Sequence, residues 1–190
     1  MQICCLYMDA SKRSSHYQDR FYQVKEALQT LDANISWYNA EQLQFTSCTG
    51  CFGCWVKTPG RCMFHDDLEP VLGNIIAADI LLVVAPVYDG FLPAIIKMCF
   101  DRMIPLLHPY LEIVNKEVHH RKRYQHYPEL ALIIDLDDFD EEVRTLMNHW
   151  AERIVINMRS RLRTLLSFSE VLEQDGISQL LENPKTIQYG

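Results

Sequence analysis

The chain lacks any apolar run long enough to cross a bilayer. Its longest, Ile75 to Val87, is interrupted by Asp79 and Pro86. The start, MQICCLYMDA, lacks the basic opening and extended apolar stretch of a secretory signal, so a cytoplasmic location is expected, with its thiols kept reduced. Positive charge is in deficit. Lys and Arg total 18 against 25 Asp and Glu, for a net charge of −7 and a pI near 5.4, which argues against phosphate-driven binding of nucleic acid. Seven Gly and eight Pro leave no collagen-like or low-complexity segment. No repeat or Ser/Gly-rich linker divides the 190 residues, so one domain spanning 1–190 is expected. Neither GxGxxG nor GxxxxGK[ST] occurs, and the dinucleotide and Walker readings lose their usual support.

What is present has globular composition, 48% hydrophobic and 23% charged. Short apolar runs read as strands at Gln2–Tyr7, Ile35–Tyr38, Asp79–Ala85, Leu130–Leu136 and Leu162–Phe168. Helical spacing of Phe21, Val24, Leu28 and Leu31 predicts a helix from about His16 to Leu31. A second helix carries Leu68, Leu72, Ile75 and Ile76 behind a cap at Asp66 or Asp67. A third has Pro93 in its first turn, and a long one runs from Val143 to Met158. The stretch 104–128 reads as long and irregular. Central strands that are continuously apolar, alternating with helices, indicate a parallel sheet covered on both faces. Five such strands make a doubly wound three-layer α/β sandwich, with its ligand crevice beyond strands one and three. The loops there are Asp9–Ser15 and Pro86–Leu92.

The first loop sets Ser11, Lys12, Arg13, Ser14 and Ser15 directly before a helix N-terminus, where unpaired N–H groups and the helix dipole suit a phosphate. A solvated polar loop is the plain alternative. In the second loop, Pro86-Val87-Tyr88-Asp89-Gly90-Phe91 combines turn-fixing residues with two flat aromatic side chains. That combination suits a planar heterocycle, or simply closes the end of the sheet.

Two segments carry a specific resemblance: CTGCFGCWVKTPGRCMFHDD (48–67) and APVYDGFLPAIIKMCFDR (85–102). Together they resemble the NAD(P)H-dependent FMN oxidoreductases of flavodoxin-like fold, in the branch that contains the iron–sulfur flavoproteins. Pro86, Tyr88, Gly90, Lys97, Asp101 and Arg102 match the family pattern. The resemblance implies a flavodoxin-like three-layer sandwich with a five-stranded parallel sheet. It assigns FMN phosphate to Ser11, Arg13, Ser14 and Ser15, and the flavin ring to Pro86, Val87, Tyr88, Asp89 and Gly90. It also implies NAD(P)H as co-substrate, a quinone, flavin or other small molecule as electron acceptor, and a homodimer or homotetramer. Catalytic side chains stay unassigned, because the cofactor performs the chemistry. The first loop departs from the family's usual Gly-Ser-Pro-Arg and Asn-Thr, keeping Ser11 and Arg13 only. A flavin-free binding protein of the same fold is therefore an alternative.

Four of the seven cysteines are Cys48, Cys51, Cys54 and Cys62, spaced x2, x2 and x7. The resemblance implies a [4Fe–4S] cluster on them and, with it, an alternative role as an electron carrier. Zinc more often takes two separated pairs, and small thiols can also pack without any metal. Cys4, Cys5 and Cys99 fall in expected core elements. A basic stretch (Lys116, His119, His120, Arg121, Lys122, Arg123 and His126) reads as a solvated loop, a subunit contact or an anion-attracting patch. Asp135, Asp137, Asp138, Asp140, Glu141 and Glu142 crowd the end of the fourth strand. Asp137 and Asp138 are expected to face the crevice and to disfavour an anionic reduced flavin.

Overall fold

Two apolar runs, ILLVVAP and ELALIID, form the centre of the molecule, and each is buried along nearly its whole length. The computed structural model describes residues 1–9, 15–136, 141–173 and 176–182. Its elements in chain order are β1 (Gln2–Tyr7), α1 (Ser15–Gln29), β2 (Asn34–Asn39), α2 (Gly53–Val56), α3 (Leu68–Ala77), β3 (Ile80–Pro86), α4 (Ala94–Asp101), β4 (Leu107–Val114), β5 (Glu117–Lys122), β6 (Glu129–Asp135), α5 (Glu141–Asn157), β7 (Leu162–Ser167) and α6 (Phe168–Leu172). Short 3-10 turns lie at Ile104–Leu106 and Gly176–Leu180.

The main sheet has the order β2-β1-β3-β6-β7, parallel throughout. Cys5 sits between Trp37 and Leu82 in the ladder, and Leu82 faces Ala131. This is the flavodoxin-like order, in which the chain reverses its winding direction between β1 and β3. Helices α3, α4 and α5 cover one face, with Leu68, Leu72, Ile96, Phe100, Met147 and Ala151 packed on Leu6, Val83 and Leu132. Helices α1 and α6 cover the other, where Phe21, Val24, Leu28 and Phe168 meet Ile3, Leu82 and Ile133. Side chains alternate across a strand, so neighbouring Cys4 and Cys5 enter opposite cores. Burial pushes the Cys4 and Cys99 thiols up to about 12 and the Cys5 thiol well above its ordinary value, so these three are packing groups. Leu82 and Leu132 are fully buried, and truncating either to Ala costs about 2–5 kcal/mol.

Two expectations are corrected. Pro93 is the N-cap residue of α4, with extended ψ, and the helix begins at Ala94. The segment 104–128 is not irregular. After a 3-10 turn it forms the antiparallel hairpin β4–β5, closed by Asn115 and Lys116 at φ 49° and 66°. Two positive φ values make the mirror-image turn that suits strand twist, although Asn-Lys lacks the usual Gly. Pro109 cannot donate to a ladder, and the register shifts between Leu107 and Leu111 around it.

Candidate functional site

The crevice is built where β1 and β3 end. Beyond β1, Met8 donates its N–H to the Val84 carbonyl at 3.0 Å. The Tyr17 hydroxyl donates to the Met8 carbonyl at 2.7 Å, and Asn39 Nδ2 donates to Asp9 Oδ2 at 3.0 Å. Burial raises the Tyr17 phenol far above its ordinary value, and Asp135, Tyr88, Asp9 and Glu41 add to the effect. The ends of four strands thus converge around one hydroxyl on the first turn of α1. Arg20, one turn further on, pairs with Asp135 at 2.7 Å and donates to Ser169 Oγ at 2.9 Å, tying α1 to β6 and α6.

Beyond β3, Tyr88 and Phe91 exchange backbone hydrogen bonds of 2.9 and 3.0 Å across Asp89 and Gly90. The central residues have φ of 49° and 79°, a type I′ turn, which is why Asp-Gly stands there. A turn of this type uses the outer residues' groups on itself and turns the Asp89 and Gly90 peptides outward. Phe91 meets Trp150 edge to face at 5.5 Å, and Trp150 meets Phe100 at 5.0 Å, bracing the turn against α5 and α4. Pro86, Val87, Tyr88, Asp89 and Gly90 therefore stand together at this rim, and exposed Ser15 opens α1. Ser11, Arg13 and Ser14, like Asp137, Asp138 and Asp140, lie outside the described residues.

The cysteine loop forms a second centre. All four thiols line one cavity of about 130 Å³, together with Phe64, Arg102 and Pro105. Cys48 and Cys51 are exposed, Cys62 is half-buried and Cys54 is buried. The Gly53 N–H draws the Cys51 thiol below its ordinary value, aided by the Thr49 side chain and Lys57. Burial raises Cys54, reinforced by the other three thiols. A Cβ at Gly53 would lie 2.2 Å from Met63 Cγ, so any larger residue there must displace the Met63 side chain.

Arg102 closes the cavity from the protein side. It is fully buried and grips Asp66 at both oxygens, at 2.8 and 3.0 Å, while also donating to the Thr46 carbonyl. Asp66 further accepts the N–H groups of Thr46 at 3.1 Å and Leu68 at 3.2 Å. Burial alone would raise the Asp66 carboxyl, but these donors hold it below its ordinary value. Asp67 accepts the Gln44 N–H at 2.8 Å. The paired aspartates staple the cysteine loop to α3, and Asp66 fixes it to the end of α4. Asp67 is the N-cap by position, yet Asp66 receives the helix N–H. Among the described residues no three His, Cys, Asp or Glu side chains are arranged to hold a metal ion. The four cysteines line one space, a donor set of the kind that holds iron–sulfur clusters.

The hairpin adjoins this second centre. Trp55 Nε1 donates to the Ile104 and Leu107 carbonyls at 3.2 and 3.1 Å, and its ring lies 5.0 Å from His120. The basic stretch lies partly on β5. Hairpin acids pair with α5 and the residues after it: Glu117 with Arg153 at 2.9 Å, and Glu112 with Arg159 at 2.6 Å. Buried His119 meets Asn157 at 3.2 Å. Tyr17, Arg20, Asn39 and Trp55 carry no motif or spacing in the sequence that marks them as site residues.

The family model for NADPH-dependent FMN reductase matches residues 6–122. An iron–sulfur flavoprotein of Methanosarcina thermophila is 35% identical over 69 residues, 36% of this chain and 35% of that protein. Another, from Methanocaldococcus jannaschii, is 31% identical over 86 residues, 44% of each chain. The chain thus spans less than half the length of these curated relatives. An NAD(P)H:quinone oxidoreductase from Methanothermobacter marburgensis superposes with a TM-score of 0.59 at 15% identity, covering 95% of this chain and 94% of that one. An FMN-dependent NADH-azoreductase from Bacillus anthracis, solved with FMN, gives 0.54 at 10% identity over 94% and 93%. These two likenesses establish the fold. With the family match running from the end of β1 through the hairpin, the chain belongs to the NADPH-dependent FMN reductase family.

Proposed function

We propose that the protein is an FMN-dependent NAD(P)H oxidoreductase that passes electrons to a small-molecule acceptor such as a quinone or a flavin. The observation that carries this reading is the type I′ turn at Asp89-Gly90, set across the β1/β3 switch point from the start of α1. Its outward peptides and the Tyr88 and Phe91 rings suit the edge and face of a planar heterocycle. Bound FMN supplies the electron-accepting chemistry between nicotinamide and acceptor. Pro86, Val87, Tyr88, Asp89 and Gly90 orient the ring. Ser11, Arg13, Ser14 and Ser15 take the phosphate, helped by the helix N-terminus. Tyr17 and Asn39 hold the first loop's base in register by bonding Met8 and Asp9. The Arg20–Asp135 pair offsets the charge of Asp135 at the end of β6. We place the protein in the cytoplasm as a homodimer or homotetramer; the exposed Tyr110, Leu111, Ile113 and Val118 of the hairpin favour assembly. Among the described residues no helix is long and apolar enough to cross a membrane. Stopped-flow mixing of the FMN-loaded protein with NADH and NADPH tests the reading. Flavin bleaching by either nicotinamide supports it, and a flavin that stays oxidised with both refutes it.

A second reading is favoured by one observation: the thiols of Cys48, Cys51, Cys54 and Cys62 ring a single cavity. These four would hold a [4Fe–4S] cluster, adding one-electron transfer to the flavin site. Anaerobic purification tests it. Brown absorbance with about four irons and four labile sulfides per chain supports the cluster, and yellow iron-free protein refutes it.

A further inference from the structure

Arg102 carries a donor with nothing to bond among the described residues. Its side chain is wholly buried, and its terminal nitrogens are fixed on Asp66 and Thr46, yet its Nε–H has no partner there. Buried donors are seldom left unpaired, least of all on a cation. The guanidinium cannot turn to find one, because the two bonds to Asp66 and the Phe64 ring 5.5 Å away fix its plane. What it does adjoin is the cysteine cavity, whose wall Arg102 shares with Cys48 and Cys62. Among the other wall residues, Met63, Phe64, Ile104 and Pro105 offer no side-chain acceptor of comparable strength, and the Asp101 carboxylate is paired with Lys97. In so apolar a setting, a donor–acceptor contact is stronger than in water.

We infer that the Arg102 Nε–H is a hydrogen-bond donor to a sulfur of a [4Fe–4S] cluster held by Cys48, Cys51, Cys54 and Cys62, and that it makes this cluster easier to reduce. The inference rests on the iron–sulfur reading above and adds a positioning residue to it. Hydrogen bonds to cluster sulfurs raise the potential, because they stabilise the more negative reduced form. Asp66 offsets most of the guanidinium's charge. The directed N–H, more than the net charge, therefore sets the effect.

The test is an EPR-monitored dithionite titration of anaerobically prepared protein, with iron and sulfide analysis on the same samples. Arg102→Lys keeps the charge and loses the fixed Nε donor. The double variant Asp66→Asn with Arg102→Gln removes both charges at once, so that no lone buried ion endangers folding. Both variants are expected to reduce at least tenfold less favourably, a midpoint lower by about 59 mV for one electron. Variants that lose iron while circular dichroism remains native overturn the inference in favour of a purely loop-fixing role for the Asp66–Arg102 pair. Full iron content with an unchanged midpoint overturns it. A wild-type protein without iron overturns the cluster reading itself, and this inference with it.

Discussion

Removing the Asp66 carboxylate leaves a cation stranded in the core. Arg102 has no exposed surface, and Asp66 is 13% exposed, so solvent screens the pair poorly. Breaking one partner of such a pair costs about 3–5 kcal/mol, because the other charge stays buried and uncompensated. Asp66→Asn keeps the shape and one acceptor, so its loss lies toward the lower figure, and Asp66→Ala lies toward the higher. At this chain length each kcal/mol moves the melting temperature by roughly 2–4 °C, giving a fall of about 6–20 °C. The double variant Asp66→Asn with Arg102→Gln is expected to recover part of the loss, which a double-mutant cycle measures as a coupling energy. The effect also depends on pH with a definite sign. The folded Asp66 carboxyl lies below its ordinary value of 3.8. Its contribution is complete above that value and disappears as the pH falls through the folded one. The gap between wild type and Asp66→Asn should therefore be constant from pH 7 to about 5 and close on further acidification. Thermal melts followed by circular dichroism across that range are the assay. A change in melting temperature under 2 °C at pH 7, or a gap that widens toward acid, refutes the buried-pair reasoning.

In iron-free protein, Cys51 is expected to be the first thiol alkylated by iodoacetamide, since it is exposed and its thiol is drawn down by the Gly53 N–H. Cys4, Cys5 and Cys99 should stay unlabelled until unfolding, and mass mapping that finds them labelled early would contradict the core assignment. Gly90→Val places a β-branched residue at φ 79°, and the strained turn should destabilise the fold by about 1–3 kcal/mol and weaken FMN binding. Unaltered flavin affinity in that variant would show that the turn does not shape the ring site.

The parallel sheet was legible because its central strands are buried on both faces and so read as unbroken apolar runs; Ile80–Pro86 and Glu129–Asp135 leave little else to propose. The Asp89-Gly90 turn was equally plain, since few dipeptides accept two positive φ values. The hairpin was not. Pro109 interrupts its first strand, Asn-Lys closes it without Gly, and its apolar side chains are largely exposed, so neither alternation nor turn chemistry announced it. The four cysteines were found as a group by spacing, but their common cavity depends on how the loop turns, with Gly50 at φ 67° between Cys48 and Cys51. The Asp66–Arg102 pair joins residues 36 apart. Both matched a motif, yet no local rule says that the aspartate clamps the arginine while one N–H remains free. Long-range pairing of this kind is a property of packing, and spacing along the chain does not encode it.

Binding of FMN to flavin-depleted protein tests the central claim most directly. With FMN at a hundredfold excess over its dissociation constant, the crevice account predicts one flavin per chain. It also predicts about 2.7 kcal/mol of added stability, read as a rise in melting temperature of roughly 5–11 °C. A protein that takes up no flavin and melts at the same temperature with and without it would contradict the account.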